Sequence, residues 1–386
     1  MRGGHNKNNP ELVKKLVEEA PATMHWLEGK GLGFGPKVRV IVGGLHPRGH
    51  GAEGGGYGYI RVLEKFIKAY PDKVKVFTDT QAVKLIKNDA GKVVGVVGKH
   101  DGKDVKFMAS KGVIIATGGF GSNVEMRQAK NTGVWKEVTL DKNIPCTNNF
   151  KASQGDGLKL AEQVGANVIN LDDIQLHPGG TPKTGIMSSW PSGRNRIFLT
   201  PQGDRFVNED AARDTLCKAI FKEGGNYWIV SNHVKYPTLD YLSKNLTIGE
   251  MIKLGQAFSG NTIEELAQKT GMDPKKLRAS IDTYNNVVTG KIKEDNLGFK
   301  KFTQDDKPMT EGPFYATPMV PAVHHTMGGI QINSAAQVLD KNGQVIPGLF
   351  AAGEVTGGVH GSNRVGGNGI ADAMVFGRVS GQTALK

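Results

Sequence analysis

The spacing of apolar residues along the chain predicts a mixture of helices and strands. Helical spacing, with apolar residues recurring every three to four positions, covers residues 10–27, 59–70, 158–164, 262–269, 274–289 and 369–378. Alternating or short continuous apolar runs predict strands at residues 38–42, 74–77, 82–86, 93–99, 105–109, 112–117 and 349–352. The three runs between residues 82 and 109 are separated by short turns and predict a β-meander. Interleaved helices and strands favour an α/β fold class.

The densest cluster of chemically useful residues follows the predicted strand at 349–352. A loop of glycines and polar residues carries His360, Asn363 and Arg364, and a helical pattern begins at Gly369. Glycine lets the backbone come close to a flat or anionic ligand, and a helix N-terminus attracts negative charge. A plain glycine-rich surface loop is the alternative, but it does not explain the nearby histidine and arginine. The stretch therefore predicts a ligand site.

Composition narrows the function classes only in part. The 386 residues suffice for two domains, and the 53 glycines occur in clusters rather than in a tail. The formal net charge is +12, but the sequence contains none of the motifs typical of nucleic-acid-binding proteins, so no nucleic-acid partner is predicted. An anionic substrate or an acidic redox partner fits this charge, and so does a basic surface without a function.

The two cysteines, Cys146 and Cys217, belong to no C-x-x-C motif, so the sequence predicts no disulfide framework, metal site or covalent haem. No apolar run approaches the ~18 residues of a membrane-spanning helix, so no membrane span is predicted. No signal peptide opens the chain, and its first residues read as the interior of a domain.

A glycine pattern at Gly49-His50-Gly51-Ala52-Glu53-Gly54 matches G-x-G-x-x-G, the fingerprint of dinucleotide-binding loops. It lies between a predicted strand and a predicted helix, and Asp79 follows the next predicted strand. However, six residues separate the first strand from Gly49, whereas the fingerprint places its first glycine at the strand end. We therefore favour a mobile, glycine-rich loop that faces a ligand.

Six motifs resemble the flavoprotein subunit of the soluble, flavocytochrome c type of fumarate reductases, in the fumarate reductase–succinate dehydrogenase superfamily. They are VIIATGGF, GDGL, LDDIQLHP, GDRFVNEDAARD, HHTMGG and AAGEVTGGVHGSNRVGGN, with weaker similarity at NNPELVKKLVEEA. The resemblance covers essentially the whole chain. It implies an incomplete Rossmann-like FAD-binding domain at residues 1–171 and 327–386, interrupted by an α+β capping domain at residues 172–326, with substrate held between them.

The chain departs from this family at its start. Relatives begin with a strand, a glycine loop and a helix that bind the ADP half of FAD, whereas this sequence starts after that point. We expect the segment to be truncated or supplied by another chain. We also expect this chain alone to bind FAD poorly.

The resemblance implies FAD contacts at seven positions, namely Gly118, Gly119, Asp156, His324, Glu354, Asn368 and Ile370. Asp156 could instead cap the helix that follows it, and His324 could be a core histidine. The helix from Gly369 is expected to direct its N-terminus at the pyrimidine side of the flavin.

The family reduces a C=C bond beside a carboxylate, which implies four catalytic residues. Arg213 matches the proton donor, Arg364 and His325 match the residues that bind one carboxylate, and His177 matches a residue at the other end of the substrate. A surface salt bridge is the alternative for Arg364, and a lone loop histidine is the alternative for His177. Substrate-binding positions are expected at Met187, Ser189 and Thr326.

The segment at residues 185–196 differs from the family and leaves the substrate open. It contains no Glu for a proton relay, although Arg194 or Arg196 could serve, and Trp190 could line a pocket for an aryl acrylate. Fumarate or another small dicarboxylate is the first expectation, and urocanate or an aryl acrylate is the alternative. A ketosteroid fits the paired histidines and Arg364 less well, and a non-catalytic flavoprotein fragment is a further alternative. The resemblance also implies a cytochrome c-type or other electron donor and favours the periplasm, with the cytoplasm left open.

Overall fold

In a computed structural model, residues 1–41, 44, 46–147, 152–187, 195–243, 246–301 and 305–386 are described. The helices are α1 Pro10–Gly29, α2 Gly55–Lys68, α3 Val124–Ala129, α4 Asp156–Glu162, α5 Arg213–Lys222, α6 Ile248–Lys253, α7 Ile263–Thr270, α8 Pro274–Val288 and α9 Asn368–Leu385, with 3-10 turns at Arg2–Gly4 and Gly353–Val355. The strands are β1 Phe34–Arg39, β2 Gly49–Ala52, β3 Thr80–Lys87, β4 Val93–His100, β5 Lys103–Met108, β6 Val113–Ile115, β7 Val168–Ile169, β8 Ile174–Gly180, β9 Ile197–Leu199, β10 Tyr227–Asn232, β11 Phe258–Gly260, β12 Phe314–Thr326, β13 Gly329–Gln331, β14 Gln337–Leu339, β15 Val345–Ala351 and β16 Thr356–Gly357. The predicted mixed α/β fold class is confirmed.

The chain forms two compact units. Unit 1 comprises Met1–Thr139, Phe150–Ile174 and His325–Lys386, and unit 2 comprises Leu140–Asn149 and Gln175–His324. One boundary falls inside β12, between His324 and His325, so the paired histidines belong to different units. The domain boundaries expected from the resemblance, at residues 171 and 327, stay a prediction.

Unit 1 contains the predicted β-meander and a parallel strand pair. Strands β3, β4 and β5 form an antiparallel sheet, which confirms the meander. Strand β6 pairs in parallel with β15, with Ile115 opposite Ala351. Because parallel strands end at the same edge of a sheet, the residues after β6 and the residues after β15 emerge side by side. This pairing brings two glycine-containing motifs together that lie more than 200 residues apart in sequence.

The first and last helices of the chain pack together within unit 1. Asn9 caps α1 by accepting a hydrogen bond from Glu11 N, and Pro10 occupies the first helical position, as the sequence predicts. Arg378 of α9 donates to Thr23 Oγ1 at 2.8 Å and stacks over the Trp26 ring at 5.3 Å. These contacts hold α9 against α1 at Arg378, ten residues after the helix begins at Asn368. The start of α9 directly follows the glycine loop in sequence.

Three local predictions between residues 38 and 77 are wrong. The predicted strand at 38–42 is shifted, because β1 ends at Arg39. The presumed mobile loop contains β2, which carries the first two glycines of the G-x-G-x-x-G pattern and pairs antiparallel with β1. A dinucleotide fingerprint needs a loop between a strand and a helix, so the pattern is not a fingerprint. No strand forms at 74–77, where Val76 is 69% exposed, although the Phe77 ring packs edge to face on Phe107 of β5 with centroids 4.8 Å apart.

Unit 2 is built on one sheet covered by helices. Its strand order is β11-β12-β10-β9, and β8 also pairs with β12. The apolar faces of α7 and α8 pack on this sheet through a buried cluster that includes Leu266, Leu277, Ile281, Tyr284 and Phe299. The N-terminus of α7 is capped, since Thr262 Oγ1 accepts from Glu265 N at 3.1 Å and Glu265 accepts from Asn261 N.

A buried ion cluster fixes the segment that leads into α5. The Arg205 guanidinium donates two hydrogen bonds to Glu209, at 3.0 and 2.8 Å, and a third to Asp295 at 2.5 Å. The three side chains are at most 4% exposed. The single guanidinium thus binds both buried carboxylates, Glu209 through two hydrogen bonds and Asp295 through one. Because Glu209 lies four residues before Arg213, the cluster fixes the backbone that leads into α5.

No helix within the described residues is long and apolar enough to cross a membrane.

Candidate functional site

The glycine loop after β15 folds back onto the start of α9. The 3-10 turn Gly353–Val355 follows β15 directly and presents Glu354. Gly353 has φ +75°, a conformation that a residue with a Cβ adopts only under strain, and a Cβ there would lie 3.4 Å from Ala373 of α9. The turn is therefore held close to the first turns of the helix.

The carboxyl group of Glu354 lies at the centre of this region. It accepts hydrogen bonds from Thr326 N at 3.1 Å and Thr326 Oγ1 at 3.5 Å, and its Oε2 is 3.9 Å from His325 Nε2. Burial raises the pKa of Glu354 to about 7, although the Thr326 hydrogen bonds and the Arg364 charge oppose that shift. Near neutral pH this carboxyl group can therefore both donate and accept a proton.

Gly119, predicted to contact the cofactor, lies against the same carboxyl group. A Cβ at this position would collide with Thr326 Oγ1 and Glu354 Oε1. Only a glycine lets the backbone after β6 approach the turn after β15 so closely. Gly118 follows β6 by three residues and has φ +72°, and a Cβ there would lie 3.6 Å from Ser153 Oγ, so only Gly119 of the two predicted glycines lies against Glu354.

Arg364 is a buried cation beside the start of α9. Its side chain is 7% exposed, and a Cβ on Gly369 would lie 3.3 Å from the guanidinium carbon. Burial lowers the pKa of Arg364 to about 10, while the charges of Glu354 and Asp372 raise it. At neutral pH the guanidinium remains charged. The alternative of a surface salt bridge for Arg364 is wrong, because the residue is buried.

His360, which the sequence placed in the ligand loop without a role, lies beside His325 and is paired with Asp372, which the sequence did not identify. His360 Nε2 is 3.0 Å from Asp372 Oδ2, and the two residues are 6% and 1% exposed. The His360 ring meets the His325 ring edge to face, with centroids 5.4 Å apart. The sequence did not predict that His360 and Asp372 pair, because they are 12 residues apart, one in a loop and the other in a helix.

The N-terminal segment holds the backbone of the glycine loop. Asn9 N donates to Gly358 O at 2.8 Å, and Asn8 Nδ2 donates to Val359 O at 2.8 Å. Ser362 N donates to Gly4 O at 3.1 Å, and the Ser362 hydroxyl is 2.9 Å from His5 Nδ1. The loop is thus fixed on both sides of His360.

In unit 2, Arg213 is the first residue of α5. Its guanidinium is 7% exposed, and Nη1 donates to Gln175 Oε1 at 2.9 Å. Gln175 is a neutral acceptor, which stabilises a guanidinium cation less than a carboxylate does. The sequence did not identify Gln175, although it stands two residues before His177 in β8.

His177 and His324 lie together in unit 2. Gly179 N donates to His177 Nδ1 at 3.0 Å, which leaves Nε2 of the neutral ring as a donor. The two rings are 4.8 Å apart, and Thr147 Oγ1 is 2.6 Å from His324 Nδ1. His177 is 2% exposed and belongs to β8, so its alternative as a loop histidine is wrong.

The predicted relay residue Arg196 is buried in unit 2. Arg196 Nη2 donates to Glu209 O at 2.8 Å and lies 3.3 Å from Asp210 Oδ1. Arg196 is therefore accompanied by a carboxylate, that of Asp210, which lies three residues before Arg213 and not in the segment at residues 185–196. Met187 is buried at 4% exposure, whereas Ser189, Trp190 and Arg194 lie outside the described residues.

The remaining predicted cofactor residues are at helix starts. Asp156 is the first residue of α4, and the N-cap position belongs to Gly155, so the alternative of Asp156 as the N-cap residue is wrong. Asn368 opens α9, and Ile370 is 42% exposed two positions later. Within the described ranges, no group of three His, Cys, Asp or Glu residues could hold a metal ion.

Comparison with known proteins gives this geometry a context. The family model described as "FAD binding domain" matches residues 1–370. The chain is 37% identical to an NADH:acrylate oxidoreductase of Vibrio harveyi over 97% of its length, and 37% identical to a probable fumarate reductase, Ifc3, of Shewanella frigidimarina over 100% of its length. The solved open conformation of a flavocytochrome c3 fumarate reductase superimposes with a TM-score of 0.73 and 34% identity over 100% of this chain.

This chain is shorter than the proteins it resembles. It spans 37% of the Vibrio protein, 63% of the Shewanella protein and 65% of the solved flavocytochrome. The predicted resemblance to the fumarate reductase flavoproteins is confirmed by these similarities.

Proposed function

We propose, because the chain belongs to the FAD binding domain family, that it is the flavin-dependent part of an enoate reductase. The reaction is reduction of a C=C bond beside a carboxylate, of the fumarate-to-succinate type. Both sequence relatives described above are named for reactions of this class, on acrylate and on fumarate. The proposal extends that chemistry to this chain.

One observation carries the proposal most directly. A buried, charged arginine and a buried histidine, Arg364 and His325, both lie near the carboxyl group of Glu354 in unit 1. A guanidinium fork binds two carboxylate oxygens, and an imidazole adds a further donor. Both donors lie in the stretch whose motif, GSNRVGGN with HHTMGG, matches the carboxylate-binding residues of the enoate reductases, so the arrangement supports an anionic ligand.

The residues around Glu354 fit the flavin that this family binds. Gly119 leaves only backbone beside the Glu354 carboxyl group, which suits the wall of a flat ring. The N-terminus of the 18-residue helix α9 supplies positive potential for the polar edge of such a ring. We propose Gly118, Gly119, Asp156, His324, Glu354, Asn368 and Ile370 as the FAD contacts.

When bound, FAD supplies the hydride that adds to the carbon β to the carboxylate. The protein's own contribution begins with the carboxylate. Arg364 and His325 are proposed to hold it while enolate-like charge accumulates on its oxygens in the transition state. His177, with Nε2 as its donor, is proposed to bind the other end of the substrate, and Met187, Ser189 and Thr326 are proposed as further substrate-binding positions.

Arg213 is proposed to deliver the proton to the α-carbon. An arginine is a weak acid, so it needs a buried setting in which its charged form is not held by a strong anion. Arg213 is 7% exposed and donates to Gln175 Oε1 at 2.9 Å, which supports the buried part of this requirement. Asp210, three residues earlier and paired with Arg196, is proposed to help reprotonate it.

The substrate is tested with a panel of acids offered to chemically reduced, FAD-loaded protein under anaerobic conditions. Fumarate, acrylate, urocanate and cinnamate are each added, and flavin reoxidation is followed by absorbance. We expect fumarate to reoxidise the flavin. A fast reaction with cinnamate or urocanate and none with fumarate would instead favour the aryl or heteroaryl enoate, for which Trp190 provides the sequence argument.

The same panel separates an enzyme from a non-catalytic flavoprotein. Saturated acids of the same size serve as controls, because they bind the carboxylate residues but offer no C=C bond. Reoxidation by no enoate, with normal reoxidation by ferricyanide, would contradict the proposed function.

A further inference from the structure

His360 is the most constrained titratable residue of the glycine loop, and no role in the reaction has been given to it above. Its backbone is fixed on both sides, by Asn8 at Val359 and by Gly4 at Ser362. Its imidazole is 6% exposed and contacts two side chains, Asp372 and His325. Because its backbone is fixed and its imidazole is buried, His360 can hold a neighbouring side chain in a defined orientation.

Asp372 fixes the His360 ring from α9. Its Oδ2 is 3.0 Å from His360 Nε2, while its Oδ1 is buried without a hydrogen-bond partner among the described residues. A buried carboxylate is costly unless it compensates positive charge. Two candidates are near, the His360 imidazole and the Arg364 guanidinium, whose charge Asp372 stabilises. Asp372 therefore links the loop histidine to the helix against which Arg364 lies.

His360 in turn lies against His325. The two imidazoles meet at an interplanar angle of 81° and a centroid distance of 5.4 Å. His325 Nε2 is also 3.9 Å from Glu354 Oε2. The His325 ring thus contacts both Glu354 and His360, and a change in either contact should alter its orientation.

We infer that His360 and Asp372 form a positioning pair that orients His325 for carboxylate binding. The inference rests on the proposed function for the identity of the ligand, but the position of the His325 ring is a property of the free chain. Neither residue of the pair needs to touch substrate. The loss of a hydrogen bond of this kind is expected to weaken carboxylate binding by up to about tenfold.

The test compares Asp372→Asn, His360→Gln and His360→Ala in the FAD-loaded protein. The first readout is the ring ¹⁵N and ¹H NMR signals of His325, identified with a His325→Gln variant. We expect these signals to move in Asp372→Asn and His360→Ala, and to move less in His360→Gln, whose amide can still donate to Asp372. Unchanged His325 signals in Asp372→Asn would overturn the inference.

The second readout separates carboxylate binding from flavin chemistry. We expect the dissociation constant of succinate, and the KM for the enoate, to rise by up to about tenfold in Asp372→Asn. Oxidation of the reduced protein by ferricyanide, which has no carboxylate, is expected to stay at the wild-type rate. An equal loss in both reactions would overturn the inference in favour of general damage.

Asp295→Asn is the matched control. Asp295 is another buried carboxylate paired with a cation, at 1% side-chain exposure, but it lies in unit 2. It should lower the Tm without moving the His325 signals; movement equal to that in Asp372→Asn would count against the inference. If the wild type reduces no enoate and binds no succinate, the proposed function fails, whereas the NMR comparison still decides the positioning of His325.

Discussion

Replacing Glu354 with glutamine tests the electrostatics of the site most directly. Burial raises the pKa of Glu354 from its ordinary 4.5 to about 7. Since the folded protein keeps the proton that the unfolded chain releases above pH 4.5, wild-type stability falls as the pH rises from 4.5 to 7. Glutamine has a similar shape and no charge, and its oxygen can still accept from Thr326 N.

The size of the effect follows from the shift. A change of about 2.5 pKa units corresponds to about 3 kcal/mol, because each unit is worth about 1.4 kcal/mol. The Glu354 side chain is 19% exposed, so screening by water reduces this only in part. The stability of Glu354→Gln relative to wild type should therefore increase by about 3 kcal/mol between pH 4.5 and pH 8.

The assay is thermal unfolding of both proteins at pH 4.5 and pH 8, without added FAD so that no flavin contacts residue 354. The difference in Tm between variant and wild type should grow by roughly 5 °C or more towards pH 8. Glu162→Gln, at an exposed position of α4, is the control and should show no such growth. A Tm difference for Glu354→Gln that is equal at the two pH values would refute the reasoning.

Three further predictions concern the proton donor, the glycine wall and the buried ions. Arg213→Ala should reduce enoate reduction by at least ~100-fold and leave the bound-flavin spectrum unchanged, and retained turnover would exclude Arg213 as the acid. Gly119→Ala should lower stability by about 1–3 kcal/mol, because its Cβ would collide with Glu354, whereas Gly377→Ala, in open space on α9, should raise the Tm slightly. Arg205→Met should cost about 3–5 kcal/mol, since it leaves two buried carboxylates without their cation; a fall in Tm no larger than that of a surface variant would contradict this.

The local patterns that the sequence predicted well are those with a strong local cause. The helix from Pro10 has an N-cap and a proline at its first position, and α7 has a complete cap around Thr262. The β-meander follows from alternation between obvious turns. The run at 74–77 is apolar like a strand, yet it forms none, because a strand also needs a partner and local sequence does not specify one.

The sequence alone also predicted which residues carry the chemistry, since the motifs around His325, Arg213 and Arg364 are specific in type and order. Their neighbours were decided by tertiary structure. The parallel pairing of β6 with β15 brings Gly119 against Glu354, and the pKa of Glu354 is raised by burial, which no local pattern reports.

The glycine stretch at residues 353–369 shows both contributions. Its composition predicted a ligand site, but only the fold shows that the N-terminal segment holds its backbone and that α9 supplies Asp372 to His360. Such contacts join residues that are distant along the chain, and their energy exists only once the chain has brought them together. The sequence thus predicted the reactive groups, while tertiary packing decided their partners, their burial and their charge.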